Sequence, residues 1–176
     1  MTISSEIHPS EVRSSQIRHA GLVALRVRGQ WRGALIEGPS GSGKSDLALR
    51  AIDNGFRLVS DDRTVVFASQ GRLFGRAPGP LLGLIELRGL GVQREAALPF
   101  AEILFVARCV DSPGAVERMP DPELQPLLGL AAPVLRLWPF ELSAPAKLRR
   151  ALEALGGGEQ EAYQASLAPP RRRLGA

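Results

Sequence analysis

Residues 38 to 45 read Gly38-Pro39-Ser40-Gly41-Ser42-Gly43-Lys44-Ser45, and they fit the pattern G-x-x-x-x-G-K-[ST] of a phosphate-binding loop. The glycines let the backbone take conformations that a Cβ would forbid, so that successive N–H groups point at phosphate oxygens. Lys44 adds a compact positive charge for the β- and γ-phosphates, and the Ser45 hydroxyl is a ligand for Mg²⁺. We therefore predict that these residues bind a nucleoside triphosphate, taken to be ATP, together with Mg²⁺.

The residues on both sides of this loop agree with the motif. Residues 33–37 form a short apolar run, which predicts a strand, and residues 46–54 have the apolar spacing of a helix. Leu47 and Ala51 fall on one face of that helix, and Gly55 lies where a C-terminal capping glycine belongs. The alternative, a flexible glycine-serine turn, would not require such neighbours. The order strand, loop, helix indicates an α/β fold built around a P-loop.

The composition is that of one globular domain. With 176 residues, 44% hydrophobic and 23% charged, the chain has enough apolar material for a core. No apolar run approaches the ~20 residues that cross a bilayer, and the first residues lack the basic-then-apolar order of a signal peptide. We predict a cytoplasmic protein with no membrane partner. Cys109, the single cysteine, lies in the apolar run 103–110 and is expected to be a buried thiol rather than a nucleophile.

The two ends of the chain differ from its body. Residues 1–15 carry Ser, Glu and Pro without periodicity and are predicted to be a flexible leader, while residues 156–176 open with three glycines and are predicted to be a flexible tail. The leader contributes −1 and the tail +1 to the net charge of +4, so the body is only mildly basic. With 5% aromatic residues and no clustered basic face, we predict no nucleic-acid partner.

Alternation and turn signals predict a sheet with hairpins between the two ends. A strand over 21–28 turns at 29–30 into the P-loop strand, and a second hairpin is expected around a turn at 69–71. The most apolar run should be the central strand. The remaining predicted elements are strands at 56–59, 84–87, 103–110 and 134–137, a proline-rich loop from 111 to 122, and a last helix over 143–155.

Two carboxylates, Asp61 and Asp62, follow the predicted strand at 56–59. Since the chain bends at the end of a strand, both side chains can serve one site. A phosphoryl-transfer site needs one carboxylate near its metal ion and another that accepts a hydroxyl proton. The alternative is that the pair caps the turn that follows.

Three further residues are candidates for the site. Glu86 lies inside an apolar strand, where a carboxylate is costly to bury unless it meets a cation, metal or donor; the alternative is an edge-strand carboxylate that faces water. Arg88 is followed by loop glycines and can lean toward phosphate. His19 precedes a strand, and such a histidine is more often an ordinary surface or capping residue than a site group.

Three blocks of this sequence together resemble the HPr kinase/phosphorylase family. They are residues 38–46 (GPSGSGKSD), 57–62 (RLVSDD) and 85–91 (IELRGLG), of which the first is generic and the third, similar to that family's E-x-R-G-x-G signature, is specific. The resemblance covers residues 17–110 and continues more weakly to 155. It marks residues 16–155 as a P-loop kinase catalytic domain. The extra N-terminal domain of longer members leaves no trace, so the chain looks like a short form consisting of the catalytic domain only.

The resemblance implies a fold of the phosphoenolpyruvate carboxykinase-like type, with a mixed α/β sheet and β-hairpins. It implies an enzyme that uses ATP and Mg²⁺ to phosphorylate a serine of the phosphocarrier protein HPr. It also implies a reverse reaction, in which inorganic phosphate attacks the phosphoserine and pyrophosphate is released. A homo-oligomer is expected as well.

The family pattern also implies roles for individual residues. Asp61 corresponds to the acid/base that accepts the serine proton, with Lys44 as a further catalytic residue and His19 as another if the hairpin before the loop is about four residues longer than usual. Asp62 and Glu86 correspond, with Ser45, to residues near Mg²⁺ and phosphate. Arg88 corresponds to a phosphate-binding residue.

Two departures from the family pattern concern the reaction. Asp46 stands where the family usually has Glu, which shortens that carboxylate by one methylene. A later Pro-Gly-Arg-Asn-like segment, tied to the reverse reaction, is not evident; residues 135–141 (LRLWPFE) occupy its region, and Arg136 is a poor substitute. The forward, kinase direction is therefore the better prediction.

Two other functions remain open on the sequence alone. One is a P-loop kinase of a small hydroxylated metabolite, and the other is a regulatory module that binds ATP without transferring phosphate. The Asp61–Asp62 pair argues against the regulatory module because binding alone needs no base. Acceptor recognition is expected in the proline-rich loop and the last helix, which do not distinguish a protein from a metabolite.

Overall fold

The computed structural model of the protein describes residues 14–156. This part contains ten strands and two α-helices. The strands are β1 (Ser14–Val27), β2 (Gln30–Glu37), β3 (Arg57–Ser60), β4 (Arg63–Ser69), β5 (Arg72–Arg76), β6 (Leu84–Leu87), β7 (Gly91–Arg94), β8 (Ala101–Cys109), β9 (Glu123–Leu127) and β10 (Leu130–Leu137). The helices are α1 (Lys44–Asp53) and α2 (Ala144–Leu155). The predicted leader and tail lie, for residues 1–13 and 157–176, outside the described residues.

One mixed sheet forms the body of the structure. Its strand order is β2-β1-β4-β5-β8-β10-β9, with β3 paired to β1 and β2 paired additionally to β8. This additional pairing closes β2, β1, β4, β5 and β8 into a barrel-like circuit. The β6 and β7 strands form a separate two-stranded hairpin. The predicted mixed α/β sheet with β-hairpins is confirmed.

Two apolar clusters lie on the two faces of the sheet. Leu22, Leu35 and Ile103 belong to the cluster inside the circuit. Ile36 belongs to the other cluster, which also contains the buried side chains of α1 and α2. Leu35 and Ile36 enter different clusters because successive strand side chains point to opposite faces. The helices therefore cover the outer face of the circuit.

Parallel pairing brings the P-loop next to the segment after β10. The β2, β8 and β10 strands are parallel, with Glu37 opposite Arg108 and Leu137 opposite Cys109. Parallel strands end at the same edge of a sheet, where ligand sites of α/β proteins commonly form. The loop at 38–43 thus shares this edge with the residues that follow Leu137.

Most of the predicted elements are confirmed, and β8 is central as expected because it pairs with β2, β5 and β10. The β7 and β9 strands were not predicted. The first strand begins at Ser14, inside the segment expected to be a leader, because Ser14 pairs with Ala68 and Ser15 with Phe67 on β4. Neither described helix has the length and apolar character that crossing a membrane requires.

Candidate active site

The P-loop follows β2 and leads directly into α1. Gly41 and Gly43 have φ angles of 78° and 91°, in the left-handed region that favours glycine. The Gly43 carbonyl accepts the first hydrogen bond of the helix from the Leu47 N–H, at 2.9 Å. A Cβ at Gly43 would also lie only 2.7 Å from the ring of Phe140. Backbone conformation and a close neighbour both require glycine at this position.

Lys44 is buried although it is charged, with 6% of its surface exposed. Its Nζ donates to the carbonyl oxygens of Gly38 at 3.0 Å and Pro39 at 2.9 Å. The same nitrogen lies 3.2 Å from His19 Nε2. A buried ammonium group needs such partners. They hold the amine inside the curve of the loop, where a phosphate-binding lysine is expected.

Asp61 is a buried carboxylate that contacts the P-loop. Its Oδ1 accepts a hydrogen bond from Ser45 Oγ at 2.8 Å, and its Oδ2 accepts one from the backbone N–H of Glu86 at 3.0 Å. Only 7% of the residue is exposed. Asp61 therefore joins three elements, namely the end of β3, the start of α1 and the β6–β7 hairpin.

Asp62 differs from its neighbour in position and partner. Its backbone is left-handed, with φ of 61°, so its side chain does not follow the direction of Asp61. The carboxylate is 58% exposed, and its Oδ1 lies 3.0 Å from His19 Nδ1. His19 thus connects Asp62 to Lys44 through its two ring nitrogens.

These groups surround a cavity of about 450 Å³ at the carboxyl ends of the parallel strands. Most of the predicted site residues line it: Ser40, Gly41, Gly43, Lys44, Ser45, Asp61, Asp62, Glu86 and Arg88. The other four are close to it without lining it. Gly38 and Pro39 offer carbonyls to Lys44, Ser42 Oγ packs against Gly38, and His19 contacts Lys44 and Asp62.

Glu86 and Arg88 lie on the hairpin rather than in the core. Glu86 is exposed on β6, as the edge-strand alternative expected, and it also lines the cavity. Arg88 is exposed just beyond that strand. Both side chains line the cavity, and the neighbouring Ile85, which is buried, anchors their hairpin to the core.

The Cys109 thiol is not suited to nucleophilic chemistry. The residue is 5% exposed and packs in the cluster with the helices, next to Gly38. Burial raises the pKa of the thiol to about 11, although the charge of nearby Lys44 acts in the opposite direction. The thiolate is the reactive form of cysteine. The prediction of a buried, structural thiol is confirmed.

Several residues of the cavity were not predicted from the sequence. They are Leu49, Leu87, Leu90 and Phe140, while Asp46, which the sequence had marked as a departure from the family's Glu, lines the cavity as well. Phe140 lies in the stretch that replaces the expected Pro-Gly-Arg-Asn-like segment, where an aromatic residue next to proline carries no motif. Its position follows from the parallel pairing of β8 and β10, which a sequence does not reveal.

Known proteins resemble this chain both in sequence and in fold. Residues 11–96 match the family model of the HPr Serine kinase C-terminal domain. This segment belongs to that family. It includes the P-loop, both aspartates, Glu86 and Arg88, and it ends before Phe140 and α2.

Curated relatives named HPr kinase/phosphorylase match somewhat more than a third of the chain. The protein from Clostridium beijerinckii is 48% identical over 60 residues, which are 34% of this chain and 20% of the relative. The protein from Clostridium perfringens strain SM101 is 46% identical over 66 residues, or 38% of this chain and 22% of the relative. The matches thus span about a fifth of the length of these relatives.

A solved structure agrees over a larger part of the fold. The Hpr(Ser) kinase/phosphatase from Coxiella burnetii superposes with a TM-score of 0.65 and covers 88% of this chain and 99% of its own. Its sequence identity of 22% makes this a likeness of fold alone. The fold beyond residue 96 therefore resembles that of a family member as well.

Proposed function

We propose that this chain is an ATP-dependent kinase that phosphorylates a serine of an HPr-like phosphocarrier protein. The observation that carries the proposal is the contact between the P-loop and the aspartate pair: Ser45 Oγ lies 2.8 Å from Asp61 Oδ1, and Lys44 and Asp62 line the same cavity. A site for binding alone needs a P-loop but no second carboxylate. The names of the matching relatives support HPr as the acceptor.

The contacts support an exchange of the roles that the family resemblance implied for the two aspartates. Both oxygens of Asp61 are occupied by donors, one of them the Ser45 hydroxyl that is expected at Mg²⁺. Asp62 is exposed to the cavity, where an acceptor hydroxyl would arrive. A base must reach the proton that it removes. We therefore assign Asp62 as the proton acceptor and Asp61 as a ligand of Mg²⁺.

Ser45 and Asp61 form a fitting pair of ligands for Mg²⁺. In phosphoryl-transfer sites this ion takes few protein oxygens and completes its shell with phosphate oxygens and water. Within residues 14–156 no group of three or more His, Cys, Asp or Glu could hold a metal ion alone, which agrees with a metal that arrives with the nucleotide. Bound Mg²⁺ would offset negative charge on the phosphates, and Lys44 would do so from the loop.

The transfer step moves one proton and exchanges one bond. The acceptor serine gives its hydroxyl proton to an Asp62 oxygen while the serine Oγ bonds to the γ-phosphorus. The bond from the γ-phosphorus to the bridging oxygen breaks, and ADP leaves. His19, at 3.0 Å from Asp62 Oδ1, keeps that carboxylate oriented, and its contact with Lys44 ties the base to the phosphate loop.

The region of the missing Pro-Gly-Arg-Asn-like segment supports the forward direction. Arg136 lies on β10, and its Nε donates to Glu123 Oε2 at 2.8 Å. It does not line the cavity. No arginine from this strand is therefore placed for a second phosphate, which the reverse reaction would need.

The proposal is tested by transfer of labelled phosphate from ATP. We expect labelled HPr when this protein, Mg²⁺ and HPr are present, and no label when the target serine of HPr is replaced by alanine. Label on small hydroxylated metabolites but not on HPr would instead identify a metabolite kinase. Tight ATP binding without transfer to any acceptor would favour the regulatory module.

A further inference from the structure

Phe140 places an aromatic ring directly on the P-loop. Three of its ring atoms would lie between 2.7 and 3.2 Å from a Cβ on Gly43, so one side of the ring is taken by the loop. The residue is nevertheless 51% exposed. Within the described part of the chain, Phe140 is the one aromatic residue that lines the cavity. The free part of the ring is thus available to a molecule in the cavity.

The position of this ring is fixed by helix α1 itself. The Arg50 guanidinium donates through Nη2 to the Pro139 carbonyl. Through Nη1 it donates to the Glu141 carbonyl at 3.2 Å. Its Nε is held by Asp46 Oδ2 at 2.9 Å. The two carbonyls flank Phe140 in sequence, so the same helix that follows the P-loop holds the backbone on both sides of the ring.

Trp138 supports the ring from another direction. The two aromatic rings meet edge to face, with centroids 6.0 Å apart. Such pairs restrict the orientation of each ring. Phe140 is therefore a positioned platform and not a freely rotating surface side chain.

The geometry of the phosphate site leaves the part of the cavity beside Phe140 for the nucleoside. With the β- and γ-phosphates on the P-loop, the γ-phosphate must face Asp62 and the acceptor, so the nucleoside extends away from them. Residues 138–143 follow β10 at the same sheet edge as the P-loop and bring Phe140 onto Gly43. Leu49 of α1, together with Leu87 and Leu90 of the hairpin, adds further apolar lining to the cavity.

We propose that Phe140 is the platform on which the base of the bound nucleotide stacks. The inference rests on the proposed function, since it takes a nucleoside triphosphate as the phosphoryl donor. Stacking on an aromatic side chain uses the π-face that every base has. Loss of this stacking on truncation to alanine corresponds to about a 5- to 150-fold weaker affinity.

Calorimetric titration with two ligands separates the base from the phosphates. We would measure dissociation constants of Mg-ATP and of Mg-tripolyphosphate, which has the phosphate chain but no nucleoside. The parent protein should bind ATP more tightly than tripolyphosphate. Phe140→Ala should lose most of that advantage while keeping the tripolyphosphate affinity, and Phe140→Trp should retain the advantage. Leu142→Ala is the matched control, because Leu142 lies in the same segment and is 98% exposed.

Trp138 offers a second measurement that needs no change at Phe140. The chain has two tryptophans, so Trp31→Phe leaves Trp138 as the fluorescent group. ATP should change the emission of that variant, because a base on Phe140 alters the surroundings of the adjoining indole. Tripolyphosphate should change it much less.

Each other outcome overturns the inference in a distinguishable way. Equal ATP affinity in the parent and Phe140→Ala would exclude stacking on this ring. An equal loss of ATP and tripolyphosphate affinity would show that Phe140 only packs against the P-loop. If Phe140→Ala does not fold, two other results would overturn the inference. One is a Phe140→Trp protein that binds ATP no more tightly than tripolyphosphate, and the other is Trp138 emission that does not change when ATP is added. Failure of the parent to bind either ligand would instead overturn the proposed function, and the inference with it.

Discussion

Asp61 and Asp62 are adjacent in sequence, yet one is buried between two donors and the other is exposed beside His19. The left-handed backbone of Asp62 separates their side chains, and that conformation has no signature in a run of Ser-Asp-Asp. The sequence therefore predicted that both residues belong to one site. The family resemblance gave the role of proton acceptor to Asp61, whereas we propose Asp62, because the choice depends on contacts with α1 and the hairpin that the sequence does not reveal.

The two aspartates should show different defects when each is replaced by asparagine. Asp62→Asn removes the proposed proton acceptor, so nucleotide affinity should persist while the single-turnover transfer rate falls by about 10²- to 10⁴-fold. Asp61→Asn should weaken Mg-nucleotide binding, and raised Mg²⁺ should partly restore the rate. Titrating Mg²⁺ in binding and rate measurements checks both. The reverse pattern would return the base to Asp61, and two parent-like variants would mean that the pair only caps a turn.

Lys44→Ala should abolish phosphate transfer while leaving the protein folded. The Lys44 ammonium donates to two loop carbonyls and lies apart from the apolar clusters, so its removal should affect phosphate binding more than packing. Transfer assays and circular dichroism melting, with Lys147→Ala as the control, make the comparison. Lys147 is the other lysine of the chain and contacts Glu141 on the surface. Transfer at the parent rate by Lys44→Ala would contradict the P-loop assignment.

At the scale of elements, the β6–β7 hairpin shows how an exposed element is held at the site. Ile85 is 1% exposed and packs in the cluster with the helices, while its neighbour Glu86 donates a backbone N–H to Asp61. One buried side chain thus anchors the strand that carries Glu86 and precedes Arg88. The hairpin and Asp61 should lose their order together if this anchor is removed.

Ile85→Ala tests this dependence. Truncation of a buried isoleucine should cost about 2 to 5 kcal/mol of unfolding free energy. It should also weaken Mg-nucleotide binding, because Asp61 loses a fixed donor. Val92→Ala on the paired strand is the control, since Val92 is 62% exposed and should change little. Urea unfolding and nucleotide titration measure both effects. Nucleotide binding unchanged in a destabilised Ile85→Ala protein would show that the hairpin does not support the site.

Strands β7 and β9 were not predicted, and the physical reason is similar for both. Strand β7 is exposed at all four residues and begins at Gly91 in a left-handed conformation, so it lacks alternation. Strand β9 contains Pro126 and lies at the edge of the sheet, where proline is tolerated. In contrast, the strands with two apolar faces and the P-loop helix were predicted closely. Apolar periodicity in a sequence reflects burial, and strands β7 and β9 have few buried residues.

At the scale of the whole fold, the apolar cluster that contains the helices meets the active site at the carboxyl edge of β2, β8 and β10. The P-loop rests on this edge, and Cys109 at the end of β8 packs directly beneath Gly38. The sheet that creates the stable core is therefore also the base of the phosphate loop. Stability at alkaline pH should depend on the same contact, since the Cys109 thiol must stay neutral to remain there.

Burial raises the pKa of Cys109 from 9.0 to about 11, so the folded protein holds this proton more tightly than the unfolded chain. The stability due to the neutral thiol should be complete below pH 9 and lost as the pH rises through 11, an effect of about 2 to 3 kcal/mol. Urea unfolding of the parent and of Cys109→Ala between pH 8 and 11 makes the test, because the titrations of lysine and tyrosine are common to both. The parent's unfolding free energy should fall more steeply over this range. Parallel curves would mean that the thiolate is tolerated beneath the P-loop, and the contact with Gly38 would then not limit alkaline stability.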